Sequence, residues 1–262
     1  MSLERPIELR DGATVLETWG TSGPSILCVH GITSSRRSWT RLGERLAQQF
    51  RVFAYDQRGH GDAAMAPGPM TLERSVADLE QVFAAVGGSV DLLIGHSWGG
   101  AVALLAGRRI VTRKVLAIDP MIGVSPGTFD AEYVDDLRPA LTLDADHRPA
   151  AIRAMYEGAH PADVDGKLHA MLPMLIGSLE RLGRDNRVDD GGWDLRETLV
   201  DYPLPLRLLI AGEDSVVSPD DLTFVRERGG PHVSVRVFAG EGHNLHRTAF
   251  EEFAAEVAGL VR

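Results

Sequence analysis

The feature that most constrains this chain is a repeated alternation: short, nearly continuous runs of aliphatic and β-branched residues give way to longer stretches with helical spacing. Residues 25–30, 51–55, 90–94, 114–118, 206–211 and 234–238 form such runs. A strand reads this way when neither face meets water, as in a parallel sheet covered by helices. Between the runs, residues 39–49, 72–86, 99–108, 220–228 and 248–260 carry helical patterning. The alternation predicts an α/β fold, with right-handed crossovers and an open, twisted sheet. Two further strand candidates, 6–10 and 14–19, flank Asp11-Gly12, a dipeptide that favours a tight hairpin turn, so they are expected to pair antiparallel.

The pattern breaks after Ile118. From 121 to 202 the sequence is helical and irregular, and strand patterning resumes only at Leu206. The economical expectation is a core of residues 1–120 and 203–262, with 121–202 inserted between two strands of one sheet and sitting above its C-terminal edge. A length of 262 residues, 44% hydrophobic and 24% charged, suffices to bury one large core. Acidic residues outnumber Lys and Arg by 37 to 27, giving a formal charge of -10 without a dense basic run, which weighs against nucleic acid and anionic membrane as partners. A small-molecule substrate fits better. The opening MSLERPIELR lacks the apolar stretch of a signal peptide, and no later run reaches membrane-spanning length, so a cytoplasmic location is expected. Cys28 stands alone inside an apolar strand, which excludes an intramolecular disulfide and suits a buried small hydrophobe. His60, His160 and His169 lack close ligand spacing, and neither a metal nor a cofactor is expected.

The chemistry concentrates at Gly95-His96-Ser97-Trp98-Gly99, directly after the strand 90–94 and directly before a helix. A nucleophile presented on a sharp strand-to-helix turn needs strained backbone, and flanking glycines let strand and helix approach without Cβ clashes. Ser97 is therefore the expected nucleophile. Its hydroxyl needs a base, which His243 in Gly242-His243-Asn244 supplies after the last strand; His246, where the next helix begins, is the rival. The imidazole needs a carboxylate to hold its tautomer. Asp214, just past the strand 206–211, is the preferred acid, with Asp119 in Ile118-Asp119-Pro120 as competitor or simple turn residue. Oxyanion donors are expected from the backbone N–H of Trp98 and of Ile32, with Gly31 and Thr33 as alternatives to Ile32. Trp98, Met171 and Met174 are candidates for the substrate-pocket wall. The Met171-to-Ile176 cluster equally describes the core-facing side of a helix.

Taken with His30-Gly31, Asp56-Gln57-Arg58-Gly59-His60-Gly61, Gly212-Glu213-Asp214 and Gly242-His243, these segments make the chain resemble the α/β-hydrolase fold superfamily of the kind that carries a helical cap. The resemblance implies an eight-stranded, mostly parallel sheet, a triad in the order Ser, Asp, His, and a lid contributing much of the pocket. It also implies that the Asp-x-Arg-Gly-x-Gly turn is structural, with Asp56 and Arg58 as a scaffold pair. One departure concerns that turn, where members often carry a serine two residues after the last glycine and this chain has Asp62-Ala63. Relatives that open epoxides or remove halogen use an aspartate at the elbow. A serine there implies acyl transfer on an ester, thioester or lactone. Two alternatives share the fold: hydrolysis of a carbon–carbon bond in a vinylogous diketone, for which Arg138, Arg148, Arg153 or Arg181 would bind a substrate carboxylate, and a non-catalytic ligand receptor.

Overall fold

A computed structural model describes residues 2–126, 137–188 and 190–261. Residues 127–136 and 189 of the expected insertion lie outside the described residues, as do the terminal residues 1 and 262 of the expected core. The apolar runs are strands: β1 (Leu3–Leu9), β2 (Gly12–Trp19), β3 (Ser25–Val29), β4 (Arg51–Tyr55), β5 (Val90–His96), β6 (Thr112–Ile118), β9 (Leu206–Ala211) and β10 (Val233–Phe238). They form one eight-stranded sheet in the order β1-β2-β4-β3-β5-β6-β9-β10. The hairpin β1–β2 and the pair β2–β4 are antiparallel, and all other pairs are parallel. The expected sheet is thus present.

Side chains alternate between the faces with period two, so consecutive residues of β3 enter different cores. Leu27 and Val29 pack with Leu93, Val115 and the helices α2 (Leu72–Ala85) and α3 (Trp98–Ala106) through Val76, Leu79 and Val102. Ile26 and Cys28 face the other way, against Leu92, Ile94 and Leu116, and meet α1 (Thr40–Leu46) at Leu42 and the C-terminal helix at Phe253 and Val257. Each such buried Leu or Ile contributes roughly 1.5–3 kcal/mol relative to exposure, which fixes the register and both helix layers. The helix starts follow from local chemistry. Thr71 Oγ1 accepts from Arg74 N at 3.1 Å at the start of α2, and Ser218 Oγ accepts from Asp221 N at 3.0 Å ahead of Pro219.

Between β6 and β9 the chain forms α4 (Arg148–Met155), α5 (Pro161–Met171) and α6 (Ile176–Asp185), which share a separate apolar cluster including Ile152, Leu168, Met171, Met174 and Leu179. A two-stranded antiparallel ribbon of β7 (Gly123–Val124) and β8 (Trp193–Asp194) brings the two ends of this segment side by side. The chain then rejoins the sheet at β9, and the helix α7 (Pro219–Arg228) carries it on to β10. The helix expected over 248–260 is α9 (Phe250–Val261), and a short helix, α8 (Leu245–Thr248), precedes it. Among the described residues, no helix is long and apolar enough to cross a membrane.

The Asp56-to-Gly61 turn is structural, but Asp56 and Arg58 do not pair with each other. Arg58 forks onto Asp78, with Nε and Nη2 donating at 3.0 Å, while Asp56 takes the buried guanidinium of Arg36 and the Arg36 N–H at 2.8 Å. Arg36 Nη1 also donates to Asp62 at 2.7 Å, so the aspartate beside the Ala63 that replaces the usual serine becomes part of this ion cluster.

Candidate active site

Ser97 stands between the end of β5 and the start of α3, at φ 56 and ψ −120. This region is sparsely populated for a side chain with a Cβ, and it persists because the surrounding backbone is packed around it. A Cβ on Gly95 would lie 2.0 Å from Gly99 O, and one on Gly99 would lie 2.4 Å from both Val29 O and His30 O. A Cβ on Gly31 would meet Ser97 Cβ at 2.9 Å. These glycines let three backbone segments crowd against the serine.

The carboxylate that meets His243 is Asp119, not Asp214. His243 Nδ1 lies 2.6 Å from Asp119 Oδ2. Asp119 takes a left-handed φ of 39 directly after β6, which turns its side chain beneath the loop after β9. That loop closes over it: Asp119 Oδ1 accepts from Ala211 N at 3.0 Å and from Ser215 Oγ at 2.6 Å, and Oδ2 accepts from Val216 N at 3.1 Å. The carboxylate is fully buried. Asp214, also at positive φ, is exposed on the outer side of the same loop. With Nδ1 held by this carboxylate, Nε2 is the ring nitrogen left free for another partner.

His246 is not an alternative base. It is buried against Trp39, His96 and Phe253, and that burial pushes it well below the usual histidine range. His96 supports His243 instead. Its Nε2 lies 2.9 Å from the His243 carbonyl and the two rings are 4.6 Å apart, with burial again holding His96 neutral.

Ser97 and His243 line a cavity of about 330 Å³ together with Ile32, Met121, Leu137 and Tyr156. Ile32 lines the same cavity as Ser97. Trp98 begins α3, where its N–H has no intrahelical acceptor, but its indole packs edge-on against Trp193 at 5.6 Å instead of lining the cavity. Met171 and Met174 do not line it either. Both are buried in the cluster of Ile152, Leu168 and Leu179, so they bind α4, α5 and α6 to one another, while Leu172 between them and Leu175 after them face solvent. The arginine candidates are likewise elsewhere: Arg148 Nη1 and Nη2 donate to the carbonyls of Leu172 and Leu141, and Arg153 is exposed.

The sequence reading missed the two cations that do reach the cavity, Lys167 of α5 and Arg247. Arg247 lies four residues after His243, in the short helix α8 that directly follows the histidine's turn. Lys167 carried a weaker signal, a single cation within a helix whose neighbours are buried. Away from the cavity, Asp56, Asp62 and His169 have metal-like spacing among the described residues. The Arg36 guanidinium already sits on both carboxylates, which makes this an ion-pair cluster tying α5 to the sheet.

Residues 26–256 match the family model described as the alpha/beta hydrolase family. The chain is 27% identical over 235 residues to N-formylmaleamate deformylase of Pseudomonas putida, covering 87% of this chain and 84% of that protein. It is 33% identical over 154 residues to lipase LipV of Mycobacterium tuberculosis, covering 57% of this chain and 56% of the lipase, so it spans about half the length of that relative. Among solved structures, an N-formylmaleamic acid deformylase variant from Pseudomonas putida S16 superposes with a TM-score of 0.79 at 20% identity, covering 97% of this chain and all of that one, a likeness of fold.

Proposed function

The chain belongs to the alpha/beta hydrolase family, and from that premise we propose that it is a serine hydrolase that cleaves a small carboxylic ester, thioester or lactone through an acyl-enzyme. Ser97 Oγ passes its proton to His243 Nε2 as it attacks the carbonyl carbon, while Asp119 accepts from Nδ1–H and stabilises the imidazolium. The N–H groups of Trp98 and Ile32 receive the oxyanion, each donor being worth about 3 kcal/mol of barrier. Collapse returns the proton to the leaving group. Water, activated by the same histidine, then releases the acid, so the cycle needs no cofactor.

The observation that carries this reading is the 2.6 Å contact of His243 with buried Asp119 at the cavity that holds Ser97. In the same reading the inserted helices act as a cap, a role supported by Leu137, Tyr156 and Lys167, which close the cavity from that side. The deformylase relative adds an N-formyl group to the acyl groups worth assaying. The test is a panel of short esters, thioesters, lactones, an N-formyl amide and a vinylogous diketone. Ser97→Ala is expected to abolish turnover of the best substrate with the fold intact by circular dichroism. Full activity in that variant would overturn the assignment. Preference for the diketone would move the reaction to carbon–carbon cleavage with the same residues.

A further inference from the structure

The cavity beside Ser97 is lined by two basic side chains, Lys167 and Arg247, and among the described residues by no carboxylate. Lys167 is only 6% exposed, and its Nζ donates to Thr33 O at 3.1 Å and lies 3.5 Å from Thr33 Oγ1 and 5.0 Å from the Tyr156 ring centre. Arg247 Nη2 donates to Ser34 Oγ and Ser38 Oγ, both at 3.2 Å, and its Nε is buried without a hydrogen-bond partner. Among the described residues, neither cation has a carboxylate within ion-pair distance. Asp163 does bias Arg247 electrostatically, but it is bound to Arg41 at 2.8 Å. Burying an unpaired charge costs several kcal/mol, and two like charges in one small cavity add to that cost. Burial and the neighbouring Arg247 accordingly push the Lys167 ammonium well below the usual lysine range. Dipoles of serine and threonine partly solvate the pair. They do not neutralise it.

An anion that enters the cavity would complete this arrangement. Ser97 and His243 line the same volume of about 330 Å³, so such an anion and the scissile carbonyl would belong to one short molecule. An adjoining cavity of about 510 Å³ shares Tyr156, Asn244 and Arg247 with the first and offers a route inward past the same arginine. Lysine brings a point charge, and the unused Arg247 Nε brings a directed donor, a set suited to the two oxygens of a carboxylate.

We propose that Lys167 and Arg247 form a carboxylate-binding subsite, and that the substrate is a short ester, amide or ketone carrying a carboxylate a few atoms from the carbonyl that Ser97 attacks. The proposal rests on the serine-hydrolase reading and adds the substrate class to it. Lys167 and Arg247 act by positioning: with the carboxylate anchored, the carbonyl is held between Ser97 and the oxyanion donors, and binding energy remote from the reacting carbon is converted into rate.

The test compares monoethyl succinate with the uncharged ethyl pentanoate by pH-stat. Wild-type protein is expected to favour the anionic ester in kcat/KM by about 100-fold, the size expected for a buried charge-assisted contact. Lys167→Met and Arg247→Met should each reduce that ratio at least tenfold, and Lys167→Arg should keep most of it. A merely structural lysine would lower both substrates together, and an unchanged ratio in both methionine variants would overturn the proposal. Succinate binding to Ser97→Ala, measured by calorimetry, separates the two readings. Binding that disappears on adding Lys167→Met supports the subsite even if no ester is turned over, which would count against Ser97 alone. Ser97-dependent turnover with neutral esters preferred and no succinate binding would remove the subsite and leave the hydrolase. Inorganic phosphate binding more tightly than succinate in the same titration would contradict the carboxylate class.

Discussion

Ser97, Asp119 and Asp214 all take positive φ after a strand, a conformation that fixes where a side chain points but costs on the order of 1–3 kcal/mol at a non-glycine residue. The glycines around them repay that cost by letting backbone pack against backbone. Gly99→Ala forces a Cβ to within 2.4 Å of two carbonyl oxygens that cannot move aside, so a loss of about 1–3 kcal/mol or more in urea denaturation is expected. Gly31→Ala acts on the chemistry, because its Cβ would press on Ser97 Cβ at 2.9 Å and shift the segment that presents the Ile32 N–H. A fall in kcat of about 100-fold, the loss of one oxyanion donor, is the expected result, with KM moving less. The turns that bring Ser97 and His243 to one cavity were legible from sequence because glycines mark them. Which aspartate meets His243 was not. Asp119 and Asp214 both follow strands, and what selects Asp119 is the later loop folding over it through Ala211, Ser215 and Val216, a contact between segments nearly a hundred residues apart that no local pattern records.

Elements buried on two sides leave the plainest trace in a sequence. β4 and β9 begin and end where their apolar runs do, and β3, β5 and β6 differ from theirs by a residue or two, because nearly all of their central positions are buried on both faces. The inserted helices leave less. α4 buries only Ile152 fully, so its spacing gave no boundary, and the Met171 and Met174 positions fitted a pocket wall and a helix core alike. The structure assigns both methionines to the core that joins α4, α5 and α6. Met171→Ala is therefore expected to cost roughly 2–5 kcal/mol through the cavity it leaves. Proteolysis within 148–185 should accelerate in this variant, while Leu175→Ala, on an exposed side chain, should leave the rate unchanged. α5 also carries Lys167 on the side turned to Thr33, and it is tied down by Ser35 at Gly166 O and by the Arg36 cluster at His169.

For the whole molecule, the buried histidines set an acid limit. Burial pushes His30, His96 and His246 well below the usual value and lowers His60. The unfolded chain binds protons at these positions below about pH 6.5, where the native state does not, so stability rises with pH between the depressed native values and that point. Above it the contribution is complete. Each group adds a slope of up to about 1.4 kcal/mol per pH unit within its window. The urea midpoint should thus drop clearly from pH 7 to pH 5, and an equal midpoint at both values would show that these rings titrate normally. The same molecule-wide arrangement gathers the ends of β3, β5 and β6 and the segment after β10 at one cavity, where a single claim joins them: Ser97 is activated by His243 on Asp119. Its most direct measurement is the rate of fluorophosphonate labelling, mapped to a peptide by mass spectrometry, in wild type, Asp119→Asn and Asp214→Asn. The account predicts a single adduct on Ser97, slowed by about 10⁴-fold in Asp119→Asn and by no more than a few-fold in Asp214→Asn. An adduct elsewhere, or the opposite ranking of the two variants, would contradict it.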